Sequence, residues 1–81
     1  MRKQMLLREL TYKKVTSLVA ELFSPDVQNM DQIFLEAMQI MPMVEKFLTE
    51  KLNPEEKATV EIQSERELFE FIMYVGDSLV Q

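Results

Sequence analysis

Apolar residues in the middle of the chain, over residues 29–52, recur every three or four positions, the spacing that places side chains on one face of a helix. Pro42 interrupts this stripe, removes a backbone donor and clashes with the preceding turn. Because Met41 is a poor N-cap, we favour one kinked helix over two separate helices. The stripe consists of Met30, Ile33, Phe34, Ala37, Met38 and Met41 before the proline, and of Val44, Phe47, Leu48 and Leu52 after it.

An earlier helix is predicted over residues 12–23. Thr11 is a good N-cap, and Leu10 and Val15 then have the spacing of a hydrophobic staple. The helix ends before Pro25, because a residue that precedes proline is disfavoured in the helical region. Its predicted buried face comprises Val15, Leu18, Val19 and Leu22.

Capping residues also mark where the next two helices begin. Asn29 can cap the central helix, with Gln32 closing a capping box, and Asp26 is the competing cap. In residues 53–56, Asn-Pro-Glu-Glu combines an N-cap, a proline at the first helical position and two acids near the positive end of the helix dipole. A short helix is therefore predicted to begin after Asn53.

Ser64 opens the last predicted helix, with Glu67 three positions later as in a capping box. Gly76 lies inside its stripe, where a glycine costs about 1 kcal/mol relative to alanine. Either another helix crosses closely at Gly76 or the helix ends there. The predicted buried stripe comprises Leu68, Phe69, Ile72, Val75, Leu79 and Val80, with Phe71 and Tyr74 outside it.

Two segments could form β-strands instead of helices. Residues 1–10 lack a clear helical stripe and could form a strand, a frayed first turn or an extended arm. Residues 57–63 alternate apolar and polar side chains, and residues 5–9 are the obvious partner if they form a strand. The pattern thus predicts one domain, residues 1–81, with an all-α compact bundle of three to five short helices. One short two-stranded β element remains the alternative.

The amino-acid composition excludes most classes of catalytic site. The 81 residues include no Cys, no His and one Gly, which excludes thiol and imidazole chemistry, disulfides, ordinary zinc or haem sites and a glycine-rich phosphate loop. The pairs Glu67 with Glu70 and Glu61 with Glu65 have helical spacing but are interpreted as a solvated face. We therefore expect no catalytic residues, no metal site and no cofactor.

Charge is unevenly distributed along the chain. The first twenty residues carry a net charge of +4 and the rest carry −9, for a total of −5. Nucleic-acid binding would have to use this basic segment, whose single aromatic residue, Tyr12, gives no stacking pattern. No apolar run approaches the ~20 residues of a membrane span, and no signal-peptide cleavage site follows the N-terminus. We expect a cytoplasmic protein that does not enter membranes.

The methionine-rich centre carries the functional hypothesis. Apolar positions around residues 30–48 cover more than one helix face, since Leu35, Ile40 and Met43 add to the stripe. An 81-residue bundle has few elements with which to cover such a helix, and methionine adapts to irregular partners. We therefore predict homo-oligomerisation or capture of a hydrophobic client. The predicted protein-binding residues are Met30, Phe34, Met38, Met41, Met43 and Phe47.

Residues 6–22, LLRELTYKKVTSLVAEL, resemble the opening of small phage tail assembly proteins. In that group a leading Leu/Arg-Glu-Leu-Thr precedes an amphipathic helix and a short helical domain, and the family includes tail assembly chaperones of long-tailed phages. The resemblance implies a cytoplasmic helper in virion assembly. It would bind the helical tape-measure protein, and often itself, until the tail subunits polymerise. It carries no site residue over to this chain.

Three function hypotheses follow. The first is a non-enzymatic adaptor or assembly chaperone that binds a helical hydrophobic client and itself. The second is a small regulator that acts on nucleic acid or a polymerase through the basic residues between Arg2 and Lys14. The third is a subunit built permanently into a larger particle.

Overall fold

The computed structural model describes residues 2–80, with the side chains of residues 6–80. This part of the chain contains four α-helices and no strand, which confirms the predicted all-α class. The two-stranded alternative is not found there. The helices are α1 (Arg2–Leu22), α2 (Met30–Glu50), α3 (Pro54–Thr59) and α4 (Glu65–Val80).

The first helix begins nine residues before the predicted cap. Thr11 lies inside α1 and is fully buried, and its Oγ1 donates a 2.7 Å hydrogen bond to the carbonyl oxygen of Leu7. The prediction of Thr11 as an N-cap, with its hydrophobic staple, was therefore wrong. A threonine whose hydroxyl is satisfied by the carbonyl four residues earlier can occupy a core position of a helix. Leu7, Thr11, Val15 and Val19 continue one face at four-residue steps, so residues 2–10 extend the helix instead of forming an arm.

The central helix runs through Pro42 as one element, which is the favoured one of the two alternatives. Asn29 caps it, because its Oδ1 accepts from the backbone N–H of Gln32 at 3.0 Å. The Gln32 side chain, however, accepts from the N–H of Gln28 at 2.7 Å. In a capping box this side chain would accept from the N–H of Asn29 itself, so the second hydrogen bond of the predicted box forms one residue earlier.

The short helix α3 begins with the predicted capping box at Asn53 and Glu56, with Pro54 at the first position. Residues 60–64 then run without helix or strand. Tyr12 and Arg8 of α1 hold this segment: the backbone N–H of Glu61 donates to the Tyr12 hydroxyl at 2.8 Å, and Arg8 Nη2 lies 3.0 Å from Glu61 Oε2. The segments considered as strand partners are therefore neighbours, but they meet through side chains.

Helix α4 follows Ser64, whose Oγ accepts from the N–H of Glu67 at 3.1 Å. Gly76 is buried inside this helix, which resolves the two alternatives in favour of a close crossing. A Cβ at this position would lie 2.7 Å from both Ile33 Cγ2 and Phe23 Cζ. The absent side chain therefore lets α2 and the end of α1 approach α4.

The core lies between α1, α2 and α4, and α2 packs most extensively against α4. The two 21-residue helices give the fold an elongated shape of 39 × 23 × 18 Å. Within residues 2–80, no helix is both long and apolar enough to cross a membrane. The central cluster comprises Val15, Val19, Phe23, Val27, Ile33, Ala37, Ile40, Val44, Leu68, Ile72 and Val75.

Gly76→Ala tests this crossing. The added methyl group forces Ile33 and the Phe23 ring to shift, at a cost of about 1–3 kcal/mol for overpacking. The better helix propensity of alanine returns about 1 kcal/mol of that. We expect a net change between zero and a loss of about 2 kcal/mol, seen as an equal or lower Tm in thermal unfolding followed by circular dichroism. Ser78→Ala, at an exposed position of the same helix, is the control. A higher Tm for Gly76→Ala, which the better helix propensity of alanine would give in open space, would refute the tight crossing.

Candidate protein-binding surfaces

The folded chain has a larger accessible surface than a typical folded monomer of the same mass. Its accessible area is 6065 Å² for 9.6 kDa, whereas a folded monomer of that mass typically exposes about 5,100 Å². The surplus of about 1,000 Å² is comparable to one side of a standard protein–protein interface, about 800 Å² per partner. Elongation produces part of this surplus, and several large apolar side chains contribute to it.

A row of apolar side chains runs along the outside of α2, and we call it the α2 ridge. Met30, Phe34, Met38 and Pro42 follow one another at four-residue steps, and Leu35 lies beside them. The exposed fractions are 55% for Met30, 47% for Phe34, 61% for Leu35 and 55% for Met38. A contiguous apolar row of this kind is typical of an interaction site, whereas singly exposed apolar residues are ordinary.

The ridge is outside because the core side of α2 is already occupied. Ile33, Ala37, Ile40 and Val44 are buried at the spacing of one helix face. Met30, Phe34 and Met38 begin directly beside that face, at about 100° of rotation per residue. The Phe34 ring still contacts α4, edge-on to the Phe69 ring at 5.3 Å between centroids. This contact fixes the middle of the ridge against the body of the domain.

The structure does not bring the six predicted residues together on one surface. Met30, Phe34 and Met38 share the ridge, whereas Met41 is half-buried against the core. Met43 is exposed but lies about 180° around α2 from Phe34. Phe47 is half-buried and lines a groove on another side of the helix.

That second surface, which we call the α1 groove, has a volume of about 640 Å³ and lies between α1, the C-terminal half of α2 and α3. Its apolar lining comes from Leu7, Leu10 and Leu18 of α1 and from Phe47 of α2, with Lys13, Lys14, Glu21 and Glu56 among its charged residues. Sequence reasoning missed Leu7 and Leu10, and it placed Leu18 on the buried face of the helix. The signal that could have found Leu7 and Leu10 was the helical register of α1 before Thr11, which becomes visible once the threonine is accepted in the core.

An ion pair joins the two helices beside this groove. Lys14 Nζ donates to Glu56 Oε2 at 2.5 Å, and Glu56 Oε1 accepts from the backbone N–H of Asn53 at 3.1 Å. The hydrogen bond from Lys14, followed by the one from Asn53, lowers the pKa of the Glu56 carboxyl below its ordinary value, against a smaller opposing effect of burial. Glu56 therefore both completes the capping box of α3 and joins α3 to α1.

The charges at the two surfaces are mixed. Asp31 and Glu45 lie near the ends of the ridge, with Lys46 at the next four-residue step after Pro42. The groove is lined by Lys13 and Lys14 together with Glu21 and Glu56. Along the chain, α1 carries five bases and one acid from Arg2 to Lys14. Arg8 and Lys14 are paired within the chain, with Glu61 and Glu56. This pairing reduces the positive charge that α1 offers to a phosphate backbone. The side chains of Arg2 and Lys3 lie outside the described residues.

The paired carboxylates noted in the sequence lie at the surface. Glu61, Glu65, Glu67 and Glu70 are all exposed. Between residues 6 and 80, no group of three or more carboxylates is close enough to hold a metal ion. Comparison of the chain with protein-family models, curated proteins and solved structures gives no match.

The Lys14–Glu56 pair predicts a pH dependence of stability. Because the folded state lowers the pKa of Glu56, the pair stabilises the fold above the ordinary carboxyl pKa, and this contribution is lost as the pH falls through the lowered value. Lys14→Gln should lower the Tm at pH 7, and the difference from the unsubstituted chain should shrink on acidification.

Lys13→Gln is the matched control for this experiment, since it removes the same charge from the adjacent exposed position. Thermal unfolding between pH 7 and pH 3 measures both variants. Equal losses of Tm for the two variants at pH 7 would mean that net charge, and not the contact with Glu56, causes the effect.

Proposed function

We propose that this chain is a non-enzymatic, protein-binding adaptor or chaperone that captures an apolar helical segment of a client on the α2 ridge. The observation that carries the proposal is the α2 ridge itself: four large apolar side chains, each about half exposed, lie side by side on a helix whose adjacent face is committed to the core. Leaving them in water costs free energy that a partner recovers by covering them.

The proposed partner is an amphipathic helix with basic residues beside its apolar stripe. The ridge spans residues 30–42, about 18 Å of helix at 1.5 Å per residue, so it matches about three turns of a client helix. Asp31 and Glu45 are exposed near its two ends, and no base occurs between them. Basic flanks on the client would complement these acids and improve the rate and specificity of binding.

The energetics favour reversible capture. Burying about 1,000 Å² of apolar surface yields roughly 25 kcal/mol before costs. The ordering of side chains and the loss of translational and rotational freedom offset most of it. A net free energy near −8 kcal/mol corresponds to a micromolar Kd, which suits a helper that must release its client.

For the biological setting we propose phage tail assembly in the cytoplasm of the host, with a tape-measure-like helical protein as the client. The support for this setting is the resemblance of residues 6–22 to small tail assembly proteins. A methionine-containing ridge on a small domain fits such a role, because methionine accommodates an irregular apolar partner.

A peptide-binding experiment tests the capture site. Two helical peptides share one apolar stripe, which is flanked by lysines in one peptide and by glutamates in the other, and fluorescence anisotropy measures their binding. We expect tighter binding of the lysine-flanked peptide. The double substitution Met30→Gln with Met38→Gln should weaken that binding about tenfold or more, because two buried apolar side chains become polar.

Met43→Gln is the matched control, since Met43 is as exposed as Met38 (54% against 55%) but lies on another side of α2. It should bind like the unsubstituted chain. Equal binding by the double variant, or a preference for the glutamate-flanked peptide, would contradict the proposed site.

A further inference from the structure

We propose that Met30 and Met38 form an oxidation-sensitive switch on client capture: a peroxide converts their thioethers to sulfoxides, and the oxidised α2 ridge releases the client helix. The inference deepens the proposed function and rests on it, because it concerns the regulation of the same ridge. It assigns a modification site to two residues of that surface and names hydrogen peroxide as the oxidant.

Methionine supplies all the sulfur in this chain. The sequence has seven methionines and no cysteine, so a peroxide meets thioethers and no thiol. Among the five methionines whose side chains are described, Met30, Met38 and Met43 are 54–55% exposed. Met41 and Met73 are half-buried against the core. Because the oxidant must reach the sulfur, the three exposed thioethers should react before the two half-buried ones.

Two of the three exposed thioethers lie on the ridge. Met30 and Met38 are two four-residue steps apart, about 12 Å along the helix at 1.5 Å per residue, with Phe34 midway between them. Met43 is equally exposed but lies about 180° around α2 from Phe34. Oxidation therefore changes the ridge on both sides of Phe34, and Met43 provides a reference sulfur outside the ridge.

The reaction at each sulfur is a two-electron oxygen transfer. The thioether sulfur attacks one oxygen of hydrogen peroxide, the O–O bond breaks and an S–O bond forms. After proton transfer the products are a methionine sulfoxide and one water, so sulfur is oxidised and the peroxide is reduced. The flexible apolar side chain becomes a polar one. Reductases specific for each sulfoxide epimer reverse the change, as two thiols become a disulfide and the oxygen leaves as water.

Oxidation of the ridge weakens the complex and leaves the fold intact. In the free chain the sulfoxide oxygens of Met30 and Met38 are exposed, and water hydrates them. In the complex the apolar stripe of the client covers them and offers no hydrogen-bond donor, so their hydration is lost. The core face of α2 contains neither residue, since its buried side chains are Ile33, Ala37, Ile40 and Val44.

Client binding should in turn protect the same two sulfurs. A helix that covers the ridge keeps peroxide away from Met30 and Met38, whereas Met43 stays accessible on another side of α2. The coupling is reciprocal, because a modification that weakens client binding is itself opposed by the bound client. Protection of individual methionines therefore reports the position of the client directly.

Peroxide treatment followed by peptide binding tests the switch. The chain is treated with hydrogen peroxide, catalase removes the excess, and mass spectrometry of proteolytic fragments measures the sulfoxide at each methionine. Fluorescence anisotropy then gives the Kd of the lysine-flanked peptide, which contains no methionine. Once Met30 and Met38 are oxidised, we expect Kd to rise about tenfold or more, the order expected for the two glutamine substitutions. The Tm should stay nearly unchanged, and both reductases together should restore the original Kd.

The double substitution Met30→Leu with Met38→Leu removes the oxidisable sulfur from the ridge and keeps apolar side chains there. Its Kd after peroxide is compared with its own Kd before peroxide, and the two should agree. Met43→Leu removes the exposed sulfur outside the ridge, so this variant should still lose affinity on oxidation. When the peptide is present during peroxide treatment, sulfoxide should form more slowly at Met30 and Met38 and at an unchanged rate at Met43.

Other results overturn the switch and separate it from the capture function. An unchanged Kd with Met30 and Met38 fully oxidised would show that the ridge tolerates sulfoxides. An equal loss of affinity in the leucine double variant would place the sensitive sulfur elsewhere. A chain that binds the peptide and is insensitive to peroxide refutes the switch alone, whereas a chain that fails to bind before peroxide refutes the capture site and the switch together.

Discussion

The crossing of α2 and α4 at Gly76 is the contact on which the rest of the architecture depends. Ile33 and Phe23 occupy the space that a side chain at position 76 would need. This approach seals the core face of α2 against α4 and the end of α1. With one face of α2 fixed in this way, Met30, Leu35 and Met38 remain more than half exposed in the described part of the chain. The α2 ridge is thus a direct consequence of where the core was formed.

A second constraint is the length of α1. Because Thr11 satisfies its hydroxyl within the helix, α1 continues without a break along its full 21 residues. Its N-terminal half then extends beside α3 and the segment that follows, where Glu56 and Glu61 bind Lys14 and Arg8. These ion pairs hold small elements that bury little apolar surface themselves. The α1 groove forms between the long helix and the elements attached to it.

The arrangement explains how a small domain can be ordered and still expose a large apolar area. The core uses one face of each long helix, so stability and the proposed binding draw on different sides of the same element. A rigid helix presents its side chains without an ordering cost for the backbone on binding, which favours affinity. The methionines at the ridge add adaptability, since their unbranched side chains change shape at little cost.

The sequence by itself indicated the all-α class and the caps at Asn29, Asn53 and Ser64, and it favoured one helix through Pro42 over two, because these depend on local spacing and local hydrogen bonds. It could not reveal the start of α1, since a buried threonine and an N-cap threonine look alike until its neighbours are known. Nor could it separate Met38 from Met43 or Phe47. Periodicity shows that a helix is apolar on several sides, but which side is buried depends on where other helices pack, and that is decided only by the tertiary structure.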